Sequence, residues 1–250
     1  MLTTERQEVI LNLLAEKKTI KIQDVIDITN ASESTIRRDL TELENRQKLT
    51  RIHGGATVNE RKRHEHSIVD KSTRNLQEKI EIAKYAVSLI EDEDCIYLDA
   101  GTTTFQMISF LSNKEVVVVT NGLTHVDSLI KHGITTYLTG GYVKGKTSAL
   151  VGPQTIQSLE NYRFDKCFLG ANGFHEAFGY TTPDPEEAAV KQLASKLAEK
   201  TYVLADHSKC EKVSFAKVDD IKNATLLTGK LENKSLEKLE KQTTVKVVLT

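Results

Sequence analysis

The chain has 250 residues, with 34 Lys and Arg against 35 Asp and Glu and a formal net charge of −1. This balance argues against a protein that coats nucleic acid indiscriminately. It does not exclude sequence-specific binding, which needs only a local basic surface. Its 39% hydrophobic and 28% charged residues are typical of globular proteins, and no apolar run reaches the roughly 18 residues that a membrane span needs. The three cysteines, Cys95, Cys167 and Cys210, lack metal-ligand spacing. With no signal peptide, we expect a cytoplasmic protein without a membrane partner.

The first 45 residues predict three helices. Thr4 begins a capping-box pattern with Gln7, which predicts a first helix. Thr19–Lys21 is β-prone and could pair with a later hairpin. The stretch from Lys21 to Leu43 then predicts two helices separated by a short break at Thr29–Ala31.

The last of these helices has two different faces. Ser32 is the predicted N-cap, and Ile36, Leu40 and Leu43 recur at the spacing of a buried stripe. Small hydroxyls and arginines, which can hydrogen-bond base edges and phosphates in a major groove, mark the DNA-binding candidates. These candidates are Ser32, Ser34, Thr35, Arg37, Arg38 and Thr41. A solvated face on an ordinary helical bundle would show the same pattern, so this helix alone leaves both interpretations open.

A predicted β-hairpin follows. Leu49–Ile52 alternates apolar and polar residues, and Gly54-Gly55 permits a tight turn before the second strand. Such a wing would bring Arg51, His53 and Gly54 close to the sugar-phosphate backbone. We therefore predict an α+β winged helix-turn-helix domain over residues 1–58, with the helix-turn-helix at about 20–39. A polar linker over 59–75, with a basic cluster at 61–63, completes this part of the chain.

Two motifs carry a family resemblance. Ser34-Thr-Ile-Arg-Arg-Asp-Leu40 and Leu49-Thr-Arg-Ile-His-Gly-Gly-Ala56 resemble the helix-turn-helix and wing of the DeoR family of bacterial repressors. The resemblance implies double-stranded operator DNA as a partner. Family members are usually homo-oligomers, dimers or tetramers, and such symmetry implies an operator with paired half-sites.

Residues 76–250 alternate between helical and strand patterns. Leu76–Ile90 predicts an amphipathic helix with Ile80, Ala83, Val87 and Ile90 facing inward, and Val116–Val119 is a buried parallel strand. Pro185–Lys200 predicts a long helix with Asp184 as its N-cap. This alternation predicts an α/β domain with a mostly parallel sheet covered by helices on both faces.

Polar or glycine-rich clusters follow five of the predicted strands. In an open α/β sheet, loops at the carboxyl ends of the strands line one crevice, so we expect these clusters to converge on a ligand pocket. The clusters are Asp99–Thr104, Thr120–Gly122, Thr139–Gly141, Gly170–Gly173 and Asp206–Lys209. Each of them alone could be an ordinary turn, because Gly, Asn and Asp are the residues that turns use.

The first cluster predicts a phosphate site. Gly101 permits close approach of a ligand, the next three threonines offer hydroxyls, and a helix begins just after them. Lys209 would supply the balancing cation, and Asp99 and Asn121 would hydrogen-bond sugar hydroxyls. The full set of effector-binding candidates is Asp99, Gly101, Thr102, Thr103, Thr104, Asn121, Gly122, Gly140, Gly141, Asn172, Glu187, Lys191 and Lys209. Glu187 has an alternative structural role, because it could close a capping box with Asp184 and pair with Lys191.

The family resemblance continues through this second domain. Asp99–Thr104, Tyr137–Lys144, Tyr162–Lys166 and Gly179–Ala188 resemble the DeoR-type sensor domain, and within the family they look most like the fructose-operon repressors. The resemblance implies a fold related to ribose-phosphate isomerase, fructose 1-phosphate as inducer, and a fructose phosphotransferase operon as target. The residues alone indicate only a small phosphorylated, hydroxylated ligand.

An enzyme is the competing interpretation. A sugar-phosphate isomerase fused to a DNA-binding domain could move protons with Asp99, Glu187 and Lys209. No pair of these residues has a spacing that a known reaction demands, so we predict a repressor with no catalytic residues, metal or cofactor, whose effector is a sugar phosphate. We further hypothesise that the linker transmits effector binding to the DNA-binding domain.

Overall fold

The computed structural model describes residues 1–46, 48–58, 65 and 67–248, and the chain divides into two compact units, Met1–His64 and Glu65–Thr250. Within the described residues, no helix combines the length and the apolar character needed to cross a bilayer.

The first unit is a winged helix-turn-helix. In chain order its elements are α1 (Thr3–Lys17), β1 (Thr19–Lys21), α2 (Ile22–Thr29), α3 (Glu33–Asn45), β2 (Leu49–Ile52) and β3 (Gly55–Val58). The strands form an antiparallel sheet in the order β1-β3-β2, so β1 pairs with the hairpin as predicted. The helices pack on this sheet through a core that includes Ile10, Val25, Ile36, Leu40 and Leu49.

The start of α1 differs from the sequence prediction. Leu2 occupies the N-cap position instead of Thr4, and the Glu5 carboxylate accepts a 2.9 Å hydrogen bond from the Leu2 amide. Gln7 does not reach back to the cap, because its buried amide donates to Glu42 on α3 at 3.0 Å. A tertiary contact has therefore taken the side chain that the local pattern assigned to capping.

The second unit is an α/β domain. Its first half contains α4 (Ile68–Thr73), α5 (Leu76–Ser88), β4 (Cys95–Leu98), α6 (Thr102–Phe105), β5 (Val117–Thr120), α7 (Leu123–Lys131), β6 (Thr135–Leu138), β7 (Tyr142–Val143), β8 (Leu150–Val151) and α8 (Pro153–Leu159). Its second half contains β9 (Phe164–Gly170), β10 (Gly173–His175), β11 (Gly179–Thr182), α9 (Pro185–Lys196), β12 (Ala198–Leu204), β13 (Ala216–Asp219), β14 (Thr225–Thr228), α10 (Asn233–Glu240) and β15 (Val245–Val247).

A seven-stranded parallel sheet organises this unit, with the strand order β15-β14-β12-β9-β4-β5-β6. Successive side chains of a strand point to opposite faces, and on β4 Tyr97 belongs to one hydrophobic core while Ile96 and Leu98 belong to another. The predicted parallel sheet with a covered core on each face is confirmed. An antiparallel sheet, β10-β11-β13, and the hairpin β7–β8 complete the unit.

The predicted linker over 59–75 is partly folded. The Ser67 hydroxyl accepts a 3.1 Å hydrogen bond from the Asp70 amide and caps α4, which belongs to the second unit. Lys79 on α5 donates to the Lys71 carbonyl oxygen, and the Ile68 amide donates to the Lys146 carbonyl oxygen at 2.9 Å. The second unit therefore begins at Glu65, ahead of the predicted residue 76. The basic cluster at 61–63 lies outside the described residues.

Candidate nucleic-acid interface and anion pocket

The break between α2 and α3 is built by two residues. Asn30 adopts a left-handed conformation with φ 52° and ends α2, a backbone geometry that Asn tolerates well. Ser32 then caps α3, since its hydroxyl accepts a 3.3 Å hydrogen bond from the Thr35 amide. The Ser32 hydroxyl also shares hydrogen bonds with the hydroxyls of Ser34 and Thr35, at 3.0 and 2.8 Å. The predicted N-cap is confirmed, and three hydroxyls cluster at the start of α3.

The outer face of α3 exposes the two predicted arginines. Arg37 pairs with Glu33 one turn earlier at 2.6 Å, and both side chains are about half exposed. Such exposed pairs contribute little stability, so Arg37 can exchange Glu33 for a phosphate at small cost. Within the described part of the chain, Arg38 has no side-chain partner. The predicted division of α3 into a buried and an exposed face is confirmed, because Ile36, Leu40 and Leu43 are all buried.

Arg51 and Thr41 make hydrogen bonds within the first unit. The Arg51 guanidinium donates to the Thr41 hydroxyl at 2.8 Å, and that hydroxyl donates to the Arg37 carbonyl oxygen at 2.9 Å. The Arg51 amide also donates to the Glu44 carboxylate at 2.8 Å. These hydrogen bonds hold the wing against α3, a structural role that the sequence did not predict, and the DNA contacts of Thr41 and Arg51 stay predictions. His53 and Gly54 remain exposed at the tip of the hairpin, where Gly54 has φ +75°.

A buried ion pair stabilises the orientation of α3. Asp39, the residue after the two arginines, is only 1% exposed and accepts hydrogen bonds from the guanidinium of Arg6 on α1. Breaking a buried pair leaves an uncompensated charge, so this contact ties α3 firmly to α1. Sequence reasoning missed it, because its two members are separated by 33 positions.

In the second unit, three of the predicted loops meet at the carboxyl ends of neighbouring strands. Asp99 follows β4, and its carboxylate accepts hydrogen bonds from the Gly170 amide at 2.9 Å and from Lys191 on α9. The Ala100 amide donates to the Asn121 side chain at 3.1 Å. The expected convergence is therefore present for the loops after β4, β5 and β9.

Two of the predicted ligand-contacting side chains in these loops make structural hydrogen bonds. Thr104 is fully buried, and its hydroxyl donates to the carbonyl oxygens of Asp99 and Gly101 at 2.6 and 2.8 Å. Asn121 is 2% exposed, and its amide nitrogen donates to the Leu150 carbonyl oxygen at 3.1 Å while its oxygen is used by Ala100. Both side chains shape the loops through these hydrogen bonds, so their contact with a ligand stays a prediction.

The three predicted glycines of the neighbouring loops serve packing. A Cβ on Gly122 would lie 2.6 Å from the ring of His125. That ring is buried, which lowers the pKa of His125 to about 4. The Gly140 carbonyl oxygen accepts a 2.6 Å hydrogen bond from Thr155 on α8, and a Cβ on Gly141 would lie 2.1 Å from the same hydroxyl. Gly140 and Gly141 are thus tied to α8 and are not brought to Asp99.

The remaining candidates on α9 and β10–β11 are also engaged. The Asp184 side chain caps α9, as predicted, by accepting from the amides of Glu186 and Glu187 at 2.8 and 3.1 Å. The Glu187 carboxylate accepts from Lys144 and Thr147, each at 2.8 Å, and does not pair with Lys191. Asn172 accepts a 3.1 Å hydrogen bond from Thr182. Lys191 instead neutralises Asp99, so these acidic groups already have cationic partners.

Lys79 contacts Thr102, and its charge and that of Lys71 act on Lys209. Lys79 on α5 donates to the Thr102 hydroxyl at 3.2 Å and to the Lys71 carbonyl oxygen, which brings α4, α5 and α6 together. The loop after β12 adds Lys209 and the buried Asp206. We call Lys71, Lys79, Lys209 and Thr102 the anion pocket. Lys209 was among the predicted effector-binding residues and stays a prediction, whereas Lys71 and Lys79 were missed.

A sequence signal for Lys79 existed. Lys79 is 3% exposed and lies on the same stripe as Ile82, Ala83 and Ala86, whereas the predicted Ile80 is only half buried. A lysine that continues the apolar stripe of a helix must direct its ammonium group to a polar site or pay a large desolvation cost. That position therefore marks a pocket.

The electrostatics of the anion pocket favour an anionic ligand. Burial, together with the charges of Lys212, Lys71 and Lys79, lowers the pKa of Lys209 to about 8, with Asp206 opposing the shift. Burial also lowers the pKa of Lys79, again with a contribution from Lys71. Closely spaced ammonium groups repel one another, and a phosphate dianion would relieve that repulsion. The predicted helix dipole contributes little, because α6 has only four residues.

Hydrogen bonds with Asn75 and Glu78 hold the loop that carries Lys209. The Glu78 carboxylate accepts hydrogen bonds from the His207 amide at 2.7 Å and from its ring Nδ1 at 2.6 Å. Asp206 accepts from Asn75 at 2.7 Å and from the Ser208 amide at 3.1 Å. Glu78, Asp206 and His207 lie close enough together to resemble metal ligands. Their hydrogen bonds instead hold the loop of Lys209 beside α5.

Two family models match the chain. The DeoR-like helix-turn-helix domain matches residues 6–62, and the DeoR C terminal sensor domain matches residues 74–230. Each of these ranges lies within one of the two units that the structure separates.

Curated relatives align over nearly the whole chain. An uncharacterised HTH-type transcriptional regulator FruR of Bacillus subtilis is 49% identical over 99% of both chains. A lactose phosphotransferase system repressor of Staphylococcus epidermidis is 36% identical over 95% of both chains. A putative aga operon transcriptional repressor of Escherichia coli O157:H7 is 32% identical over 90% of this chain and 85% of that one.

Among solved structures, ribose 5-phosphate isomerase A of Methanocaldococcus jannaschii is 21% identical, with a TM-score of 0.42, over 55% of this chain and 56% of that one.

Proposed function

Because the chain belongs to the DeoR family of sugar-operon transcriptional repressors and is not an enzyme, we propose that it represses a fructose phosphotransferase operon. We infer further that fructose 1-phosphate binds the second unit and releases the first unit from operator DNA. A regulator of this kind binds the chromosome and works in the cytoplasm.

The observation that carries the effector proposal is the anion pocket. Lys79 contacts the Thr102 hydroxyl, and burial, with further contributions from the charges of Lys71 and Lys79, lowers the pKa of Lys209. A phosphate dianion supplies two negative charges and several hydrogen-bond acceptors to such a site. Asp99 and Lys191, 2% and 6% exposed, lie beside the Gly170 loop and are the proposed partners of the sugar hydroxyls.

Fructose is the proposed sugar for two reasons. The loop motifs of the second unit resemble fructose-operon repressors, and the relative at 49% identity carries the name FruR. Two other relatives, at 36% and 32% identity, are named for lactose and aga functions, so the sugar is the part of the proposal that a ligand panel has to test.

The isomerase alternative is not favoured. An isomerase needs a carboxylate free to move protons, but Glu187 is bound by Lys144 and Thr147, and Asp99 is bound by Lys191. A regulator also needs its ligand to remain intact.

For the DNA-binding state we propose a homo-oligomer with paired operator half-sites. A two-fold symmetric protein presents two recognition helices to a palindromic site. Support comes from β6, the end strand of the described parallel sheet, where Tyr137 and Leu138 are 50% and 40% exposed. An unprotected apolar edge strand readily pairs with a second copy.

A thermal-shift panel of sugar mono- and bisphosphates, followed by operator retention assays, tests the proposal. We expect fructose 1-phosphate at 100 times its Kd to stabilise the protein by about 2.7 kcal/mol and to lower operator affinity. Fructose and inorganic phosphate, offered separately, serve as controls. The proposal is wrong if no phosphosugar raises the melting temperature or changes operator affinity.

A further inference from the structure

Glu65, the first described residue of the second unit, is held between two lysines. One carboxylate oxygen lies 3.1 Å from the Lys71 ammonium and the other lies 3.2 Å from the Lys144 ammonium. Glu65 is 9% exposed, so this is a buried contact. The Ile68 amide strengthens it by donating to the Lys146 carbonyl oxygen at 2.9 Å. We call these contacts the Glu65 clasp.

Lys144 is the shared centre of the clasp. Its ammonium lies 2.8 Å from both Asp184 and Glu187, in addition to Glu65, so a single cation serves three carboxylates. Although burial would lower it, the hydrogen bonds to Asp184 and Glu187 raise the pKa of Lys144. Lys144 has two other acidic partners when Glu65 is absent, and it therefore tolerates release of Glu65.

Lys71 links the clasp to the anion pocket. Its side chain is partly buried and pairs with Glu65, and its charge contributes to the lowered pKa values of both Lys79 and Lys209. The Lys71 carbonyl oxygen also accepts the Lys79 ammonium. A phosphate bound between Lys79 and Lys209 would therefore attract the Lys71 ammonium and repel the Glu65 carboxylate.

We propose that Glu65 occupies Lys71 as an internal anion and that the phosphate of the effector displaces it, which loosens the chain at the point where it leaves the second unit for the DNA-binding unit. This inference rests on the proposed function and assigns its coupling step to one residue. Competition for one ammonium group makes each event disfavour the other, and such coupling is reciprocal. A variant without the Glu65 charge must therefore bind phosphate more tightly.

Glu65→Gln tests the proposal in the full-length protein, with fructose 1-phosphate and inorganic phosphate as probes. Inorganic phosphate represents the phosphate group of the effector, which is the part that competes with Glu65. We expect the variant to bind both probes at least about fivefold more tightly than the wild type, the lower end of typical coupling. We also expect weaker operator binding without effector and a smaller further loss when fructose 1-phosphate is added.

Glu176→Gln is the matched control. It makes the same charge change in an ion pair with Lys238 at 2.8 Å, elsewhere in the second unit. This variant should bind both probes as the wild type does. Equal or weaker probe binding by Glu65→Gln, in a wild type that itself binds and releases operator, overturns the displacement proposal and leaves the proposed function standing. A wild type that binds neither probe overturns both.

A second measurement needs no mutation. Amide hydrogen exchange at Ile68 reports the clasp directly, because that amide donates to Lys146. We expect its protection in the wild type to fall when fructose 1-phosphate binds. Unchanged or increased protection contradicts displacement of Glu65, whatever the stability of the variant.

Discussion

Arg38 and Lys209 are the two basic side chains that are most available to bind an external anionic partner. Arg38 is exposed on α3 without a described partner, and Lys209 lies in the anion pocket without a described ion pair. Their neighbours Arg37 and Lys71, in contrast, already pair with Glu33 and Glu65. A cation without a salt bridge can form a charge-assisted hydrogen bond to an anionic partner without first displacing a carboxylate.

We expect Arg38→Ala to remove about 1–3 kcal/mol of operator affinity and to leave phosphosugar affinity unchanged. Fluorescence anisotropy with a labelled operator and calorimetry with fructose 1-phosphate measure the two. Arg163→Ala, an exposed arginine of the second unit, is the control and should affect neither. Parallel losses in both assays would indicate misfolding rather than a lost DNA contact.

Lys209 predicts a pH dependence of effector binding. Only the ammonium form attracts phosphate, so with a pKa of about 8 the protonated fraction falls as pH rises through 8. Affinity should therefore fall roughly tenfold between pH 7 and pH 9, while below about pH 6 the phosphate loses its second charge. Lys209→Arg keeps the charge, so it should retain affinity and lose the alkaline decline. An arginine variant with the same alkaline decline would assign it to another group.

At the scale of elements, the wing depends on two adjacent glycines with different requirements. A Cβ on Gly55 would lie 2.0 Å from the Ile20 carbonyl oxygen, where β3 pairs with β1. Gly54 has open space around it but a φ of +75°. Substitution of Gly55 is therefore limited by space, and substitution of Gly54 is limited by backbone conformation.

Gly55→Ala should destabilise the first unit by about 2–4 kcal/mol and abolish operator binding, since β1 and β3 would separate. Gly54→Ala should lower the stability of the first unit by about 1 kcal/mol, because the left-handed conformation is unfavourable for alanine. Hydrogen exchange of first-unit amides in the full chain gives both values. If the two variants lose equal stability, the close contact with Ile20 is not the limiting factor.

Sequence patterns predicted several elements from local signals, although the local capping pattern at Thr4 and Gln7 was wrong. The Ser32 cap, the stripe of Ile36, Leu40 and Leu43, and the Asp184 cap all depend on residues within a few positions of one another. Contacts between distant positions were missed. Asp39 with Arg6, and Lys79 with Thr102, need the folded chain to bring them together. Thr104 and Asn121 have the chemistry of ligand contacts, and only burial shows that their polar atoms are already used.

At the scale of the whole molecule, residues 59–64 join two units with separate cores. Replacing these six positions by a longer Gly/Ser tract should leave operator and phosphosugar binding intact and abolish the effect of one on the other. A tract of the original length that keeps Arg61–Arg63 is the control and should preserve induction. Induction through the longer tract would show that coupling does not pass along the chain.

The order of strands in the parallel sheet has a consequence for synthesis of the protein. β4 and its neighbour β5 are close in the sequence, but its other neighbour, β9, follows some 70 residues after β4. The first unit pairs all three strands of its sheet within residues 19–58, so its sequence is complete before β4 is made. We infer that the DNA-reading part of each nascent chain folds first and the metabolite-sensing part folds afterwards. Chains truncated within the second unit would therefore retain a folded DNA-binding unit that no metabolite can regulate.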